Sequence, residues 1–278
     1  MKKGKSILKS FLFLIIGIIL VVGILTVLFR TRSNDDQETT EIKKVPLHIV
    51  AIGDSLTEGV GDSTNSGGYV SIVDELLEET QIYQEVTTSN YGKSGDRSDQ
   101  ILKRFYEDET MQKDIQTADM VVLTIGGNDI IQTFKKDFLT IDEQKFIAPE
   151  KTYEQNLKSL LTEMKKLNPQ IEVYVFGIYN PYYVYFPEIT EMQMIVDKWN
   201  EKTQSIVNET DNAVFLSISN LFNQSSESEG KENQLLNDQN SDATKVVNPY
   251  LYEEDLFHPN RAGYELMSEV LFKAIINN

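Results

Sequence analysis

Two stretches near opposite ends of the chain carry residue types that can work together chemically. Near the start, Ile52-Gly53-Asp54-Ser55-Leu56-Thr57-Glu58-Gly59 sets a serine directly after an apolar run. Near the end, Asp255-Leu256-Phe257-His258-Pro259-Asn260 sets an aspartate three residues ahead of a histidine. A serine hydroxyl is a weak nucleophile until a base removes its proton. An aspartate at this spacing can reach round a turn to the imidazole Nδ1, fixing the tautomer and leaving Nε2 to take that proton from Ser55. The oxyanion formed by such an attack needs donors already in place. Asn128, in Ile125-Gly126-Gly127-Asn128-Asp129, offers a side-chain amide, and Gly95, in Asn90-Tyr91-Gly92-Lys93-Ser94-Gly95-Asp96-Arg97-Ser98, offers a backbone N–H that no Cβ shields. With the N–H of Ser55 itself as a third donor, these residues make up a complete acyl-transfer set.

Each residue also has a purely structural reading. Ser55 and Asn128 are both good helix caps, Gly95 could serve a tight turn, and Asn260 could cap a last helix, with His258 only part of the approach to it. Asp54 reads as a residue that holds the turn. Glu253 and Glu254 are rival partners for His258, although the spacing favours Asp255. His48 lies inside an apolar run, away from its carboxyl end, and reads as packing or surface filler. The aromatic stretch Tyr179 to Pro187 could line a substrate pocket through Tyr182, Tyr183 and Tyr185, or could simply pack a loop. Two tempting motifs fail. Gly92-Lys93-Ser94 ends like a phosphate-binding loop but has Thr87 where the first glycine belongs, and Ser55 has Thr57 where a G-x-S-x-G elbow needs glycine.

The elements that must hold these residues follow from the hydrophobic pattern. Strand-like runs at 46–52, 84–90, 119–125, 171–178 and 213–218 alternate with helix-like stretches at 68–80, 98–107, 152–167, 188–209 and 260–277. Such alternation predicts a mostly parallel five-stranded sheet with helices on both faces. Ligands of such sheets bind beyond the carboxyl ends of the strands, where the Ser55, Gly95 and Asn128 segments fall. A spacer covers about 135–150, and a polar insertion covers about 223–248, rich in Ser, Asn, Gln, Glu and Asp.

The four segments, in this order, resemble the blocks of the SGNH/GDSL hydrolase family. Gly53-Asp54-Ser55-Leu56 resembles the GDSL signature with Ser55 in the nucleophile's place. Gly95 matches the glycine block, Asn128 the asparagine block, and Asp255 with His258 the closing DxxH block. The resemblance implies a flavodoxin-like three-layer α/β/α fold and hydrolysis of ester or thioester bonds with no cofactor. It also implies a catalytic set of Ser55, Asp255 and His258, with Ser55, Gly95 and Asn128 forming the oxyanion hole.

Composition narrows the field further. The chain has 278 residues, 40% of them hydrophobic, no cysteine and two histidines, so disulfides, thiolate chemistry and multi-histidine metal sites are excluded and no metal is expected. Of the 26 basic residues six fall in the first 32 positions, which hold none of the 43 acidic ones, so the remainder is strongly acidic and no nucleic-acid partner is expected. Residues 11–29 form an uncharged, almost wholly apolar run, preceded by Lys2, Lys3, Lys5 and Lys9 and followed by Arg30 and Arg32. At about 1.5 Å per residue it would match a bilayer's hydrocarbon core. This pattern predicts a basic cytoplasmic segment at 1–10, a transmembrane signal anchor at 11–29, a polar tether at 30–44 and a hydrolase domain at 45–278 outside the membrane. The expectation is a membrane-tethered extracytoplasmic serine esterase or acylhydrolase of the membrane-anchored bacterial type, acting on an ester of a lipid, an acetylated glycan or a thioester. The alternatives are a cell-envelope acyltransferase using the same triad and a catalytically silent envelope-binding module.

Overall fold

The computed structural model describes residues 17–26, 44–136, 142–228 and 245–277. The chain divides into two units after Lys43. In the first, residues 17–26 form a helix, α1, with exposed aliphatic side chains. This overturns the expected membrane anchor. Among the described residues no helix is long and apolar enough to cross a membrane. Residues 11–16 and 27–29 of the expected span, the basic segment 1–10 and nearly all of the tether lie outside the described residues. The correction extends to everything drawn from the anchor: the transmembrane helix ahead of the fold, the membrane as a partner, the tethered and extracytoplasmic location, and the single-pass orientation.

The second unit is the expected parallel sheet with helices on both faces. Its strands are β1 (Leu47–Gly53), β2 (Val86–Gly92), β3 (Met120–Thr124), β4 (Glu172–Phe176) and β5 (Ala213–Leu216). All pair parallel in the order β2-β1-β3-β4-β5. Alternating side chains feed two cores, as a period of two requires. Val50, Ile52, Val121, Leu123, Val173 and Val175 face one core, while Ile49, Ala51, Met120, Val122, Tyr174 and Phe176 face the other.

Four helices, α4 (Ser98–Glu107), α5 (Glu109–Thr117), α7 (Gln144–Leu167) and α8 (Thr190–Asn208), close the first face. Helices α3 (Tyr69–Glu79) and α9 (Arg261–Ile276) close the second. Among the described residues of the expected spacer at 135–150, most are helix. There α6 (Gly127–Lys136) runs on from the asparagine segment, and α7 begins at Gln144 and carries Pro149 within its early turns. The ends of the polar insertion pair as a short antiparallel ribbon, β6 (Ser226–Ser228) with β7 (Lys245–Val247), and residues 229–244 lie outside the described residues.

The carboxyl ends of the strands are nearly level, with Gly53 opposite Gly92 and Thr124 opposite Phe176. One short helix, α2 (Ser55–Glu58), rests directly on this rim. Its backbone touches β2 so closely that a Cβ on Gly92 would overlap Glu58 N and Thr57 C. Backbone cannot swing aside as a side-chain tip can. Gly92→Ala should therefore destabilise the unit by roughly 1–3 kcal/mol. Urea unfolding is the measurement, and a midpoint equal to that of wild type would mean that α2 lifts from β2 freely.

Candidate active site

The serine begins α2. Asp54 is its N-cap, accepting from Leu56 N–H at 3.1 Å, and Gly59 ends the helix with φ 89°. A buried chain of hydroxyls supports the turn from below. Tyr69 Oη lies 2.9 Å from Thr57 Oγ1, which lies 2.8 Å from Thr124 Oγ1, and Thr124 donates to Asp54 Oδ1 at 2.9 Å. Burial raises the Asp54 carboxyl above its ordinary range, the Leu56 and Thr124 donors pull it back, and the charge of His258 lowers it further. Asp54 is thus both the cap of the nucleophile's helix and a carboxylate close enough to feel the imidazole's charge.

The histidine turn reaches the serine from the far end of the chain. Asp255 Oδ1 accepts from the N–H groups of Phe257 at 2.9 Å and His258 at 3.0 Å, and Oδ2 lies 2.6 Å from His258 Nδ1. His258 Nε2 lies 2.9 Å from Ser55 Oγ. Leu256 takes φ 53°, an uncommon conformation for a residue with a side chain, and it folds the turn back on the aspartate. The i−3 partner is therefore the one beside the ring. Tyr179 Oη fixes the same turn by donating to Phe257 O at 2.6 Å. Asn260 caps α9 by accepting from Gly263 N–H.

The remaining expected residues fall as follows. Asn128 lies in the first turn of α6 and faces the same cleft as Ser55. One of its amide hydrogens goes to Asp96 O at 3.0 Å, which ties the asparagine segment to the glycine segment. Gly95 has φ 82°, with open space where a side chain would stand. Its loop is held at Lys93 N, which donates to Gly53 O at 3.0 Å, and at Ser94 N, which donates to Glu58 Oε2 at 2.5 Å. Of the three candidate tyrosines, Tyr182 lines the cleft, Tyr183 is exposed, and Tyr185 packs toward the second core and accepts from Asn248 N–H. His48 is far along β1 from the site, 3.4 Å from Ser89 Oγ.

Several residues that position the site had no motif to announce them. Arg104, on α4, donates through Nε to Asp96 Oδ2 at 2.6 Å, through Nη1 to Tyr91 O at 3.1 Å and through Nη2 to Gly53 O at 2.9 Å. One guanidinium thereby joins the ends of β1 and β2 to the residue after Gly95. Asp129, raised by burial and pulled back by its donors, accepts from Ser98 Oγ at 2.6 Å and Ser98 N–H at 2.9 Å, linking α6 to α4. The loop after α2 is gathered on Asp62, which accepts from the N–H and Oγ1 of Thr64, from Ser66 Oγ and from Gly68 N–H. Arg261, three residues after His258, approaches Asp62 Oδ2 at 3.6 Å and donates to Thr64 and Ser66. A helical-face count could have found the apolar wall at Ile130, Ile131 and Phe134 on α6, since those positions repeat at i, i+1 and i+4.

The comparisons with known proteins bear on the family and the fold. The model of the GDSL-like Lipase/Acylhydrolase family matches residues 51–266. The uncharacterized protein YpmR of Bacillus subtilis is 33% identical over 247 residues, covering 88% of this chain and 88% of that protein. The spore germination lipase LipC of Bacillus licheniformis is 26% identical, covering 81% of this chain and 94% of its own. Among solved structures, the lipase Lip_vut3 from a goat rumen metagenome superposes with a TM-score of 0.66 at 24% identity, over 82% of this chain and 97% of that one. The acetylxylan esterase Axe2 from Geobacillus stearothermophilus gives 0.56 at 22% identity, over 83% of this chain and 94% of that one. At such identities the two structures speak to the fold alone.

The Asp62 cluster generates a pH prediction. Burial alone would raise this carboxyl, but donors from Thr64, Gly68 and Ser66 outweigh it and hold it below the ordinary value of 3.8. A carboxyl lowered in the folded state stabilises that state above its unfolded value and stops doing so as pH falls through the folded one. The stability difference between wild type and Asp62→Asn should hold from neutral pH down to about 5 and narrow below 3.8. Urea unfolding across that range measures it, and a difference that widens in acid would reverse the assignment.

Proposed function

The chain belongs to the GDSL-like lipase/acylhydrolase family, and from that membership we propose that it hydrolyses carboxylic esters through an acyl-enzyme on Ser55, with His258 as base and Asp255 as its orienting partner. Its class, a GDSL-type serine hydrolase, follows from the family match and the fold. The observation that carries the residue roles is the unbroken relay from Asp255 Oδ2 to His258 Nδ1 at 2.6 Å and from His258 Nε2 to Ser55 Oγ at 2.9 Å.

In this reading Ser55 Oγ attacks the ester carbonyl carbon while its proton passes to His258 Nε2. The carbonyl π electrons move to oxygen, and the N–H groups of Ser55 and Gly95 with the Asn128 amide stabilise that oxyanion. As the tetrahedral centre collapses, the C–O bond to the alcohol breaks and the imidazolium gives its proton to the departing oxygen. Water then repeats the sequence on the acyl-enzyme, losing a proton to His258, and the acid leaves as Ser55 regains its hydrogen. Asp255 stabilises the imidazolium at each stage without taking its proton. The intact relay also weighs against a catalytically silent module.

A fluorophosphonate should label wild type and leave Ser55→Ala unlabelled. Ser55→Ala and His258→Ala should each lower kcat by roughly 10⁴- to 10⁶-fold, and Asn128→Ala by roughly 10²- to 10³-fold with little change in KM. His48→Ala should retain activity. Wild type that neither takes the label nor turns over any ester would overturn the reading. A loss confined to KM in Asn128→Ala would move that residue from the oxyanion to ground-state binding.

A further inference from the structure

A cleft opens from Ser55 and Asn128 toward α6 and α8, and its walls differ in character from its mouth. Its enclosed space is about 50 Å³, within an open volume of about 680 Å³ that includes solvent. Beyond the mouth the lining is apolar: Ile130, Ile131 and Phe134 from α6, Met192 and Val196 from α8, and Ile178 after β4. The polar side chains that also line it are mostly engaged elsewhere. Asp54 and Thr124 bond to each other at 2.9 Å, and Asn180 Oδ1 accepts from Tyr182 N–H at 3.0 Å. A sugar ring in this space would lose its water shell and find few partners in return, and an acetyl group would not reach far enough to cover the part-exposed Ile131 and Phe134. A flexible hydrocarbon chain would cover it.

Helix geometry explains why the wall is available. On α6 the residues at 130, 131 and 134 share one side, and on α8 those at 192 and 196 are one turn apart. Ile130, Met192 and Val196 are buried, whereas Ile131 and Phe134 are only half-buried. Large apolar side chains left half-covered beside a nucleophile mark a surface that gains by being covered. Phe257 continues the apolar lining up to His258, against whose ring it stands edge-on at 4.8 Å.

We propose that this cleft is an acyl-chain site and that the enzyme prefers esters of medium to long aliphatic acids over acetyl esters, with Ile131 and Phe134 setting the reach of the chain. The inference rests on the acyl-enzyme reading, because it needs the carbonyl at Ser55 for the chain to enter between α6 and α8.

The test is a series of p-nitrophenyl esters, from acetate through butyrate to octanoate, with wild-type protein. Each methylene taken from water into an apolar wall should raise kcat/KM by roughly three- to fourfold, so octanoate should exceed acetate by well over tenfold. Ile131→Trp, which fills the cleft from a half-buried position, should cut the octanoate-to-acetate ratio by roughly tenfold or more. Phe134→Ala should move the preferred length upward, with thermal melts reporting that each variant is folded. If either variant fails to fold, the wild-type series decides alone. Highest kcat/KM on acetate, or no rise with length, overturns the acyl-chain site while leaving the esterase reading standing. No turnover of any ester together with no fluorophosphonate labelling removes both.

Discussion

The hydrogen bond between Ser55 Oγ and His258 Nε2 joins residues 203 apart in the chain, and the rest of the unit can be understood as what is needed to make it at 2.9 Å. The serine comes from the first strand's end and the histidine from the turn before the last helix, so no local motif can set their distance. Two groups of contacts do. On the second face α9 packs against α3, Tyr264 Oη donates to Val60 O at 2.7 Å, and Ser268 Oγ donates to Tyr69 O. At the rim, Arg261 meets the Asp62 loop, and Gly61 lies so near the histidine turn that a Cβ there would press on Pro259 O. Each contact bonds the α2–α3 loop or α3 to the segment carrying His258, so the catalytic distance is a property of the packed unit.

The same rim gathers an unusual amount of buried polarity. Asp54 and Asp129 are both buried and raised, so in each case desolvation exceeds what the donors return. Burying such groups costs stability, and a fold under selection for stability alone would favour apolar residues there. What they supply is placement: Asp54 fixes the start of α2, and Asp129 pins the α6 turn that bears Asn128 onto the first residue of α4. Arg104 adds three charge-assisted bonds that fix the loop of Gly95 against the end of β1. Donors preset in this way need no rearrangement as charge develops on the substrate oxygen.

Much of this was legible in the sequence, and the reasons differ by residue. The serine-hydrolase class was legible because acyl transfer needs particular residue types in particular company, and Ser55, Gly95, Asn128, Asp255 and His258, the proposed site, each stand beside an element that the apolar pattern already marks. Most of the sheet was legible because β1, β3 and β4, buried on both faces, are nearly continuous apolar runs. Helix α5 was not, being a short piece with only Met111 and Ile115 on its buried face; α6 was legible only in the i, i+1, i+4 spacing of Ile130, Ile131 and Phe134. Arg104 was invisible because its role lies in two backbone carbonyls and one carboxylate contributed by other elements. Tyr182 and Tyr185 belong to one aromatic stretch, yet one meets the cleft and the other the core, a division that follows from how the loop turns after Tyr179 and not from residue type. The apolar run at 11–29 was overread: hydropathy and length describe what a segment could cross, and among the described residues no helix is long and apolar enough to cross a membrane.

The position of the cleft follows from the strand order. In β2-β1-β3-β4-β5 the chain leaves β1 toward one edge to make β2 and then crosses back to make β3 on the other side. Loops leaving β1 and β3 therefore diverge, and a crevice opens at their carboxyl ends. Ser55 follows β1 and Asn128 follows β3, so the proposed nucleophile and amide donor flank the point where the fold cannot close over itself. From there the open space can extend only along the β3 and β4 ends, where α6 and α8 stand, since toward β2 it is shut by α2 resting on Gly92 and by the loop that Arg104 fastens. Under the proposed acyl-enzyme reading, a chain bound at Ser55 would be steered to the apolar side by the topology, before any side chain on α6 could select its length.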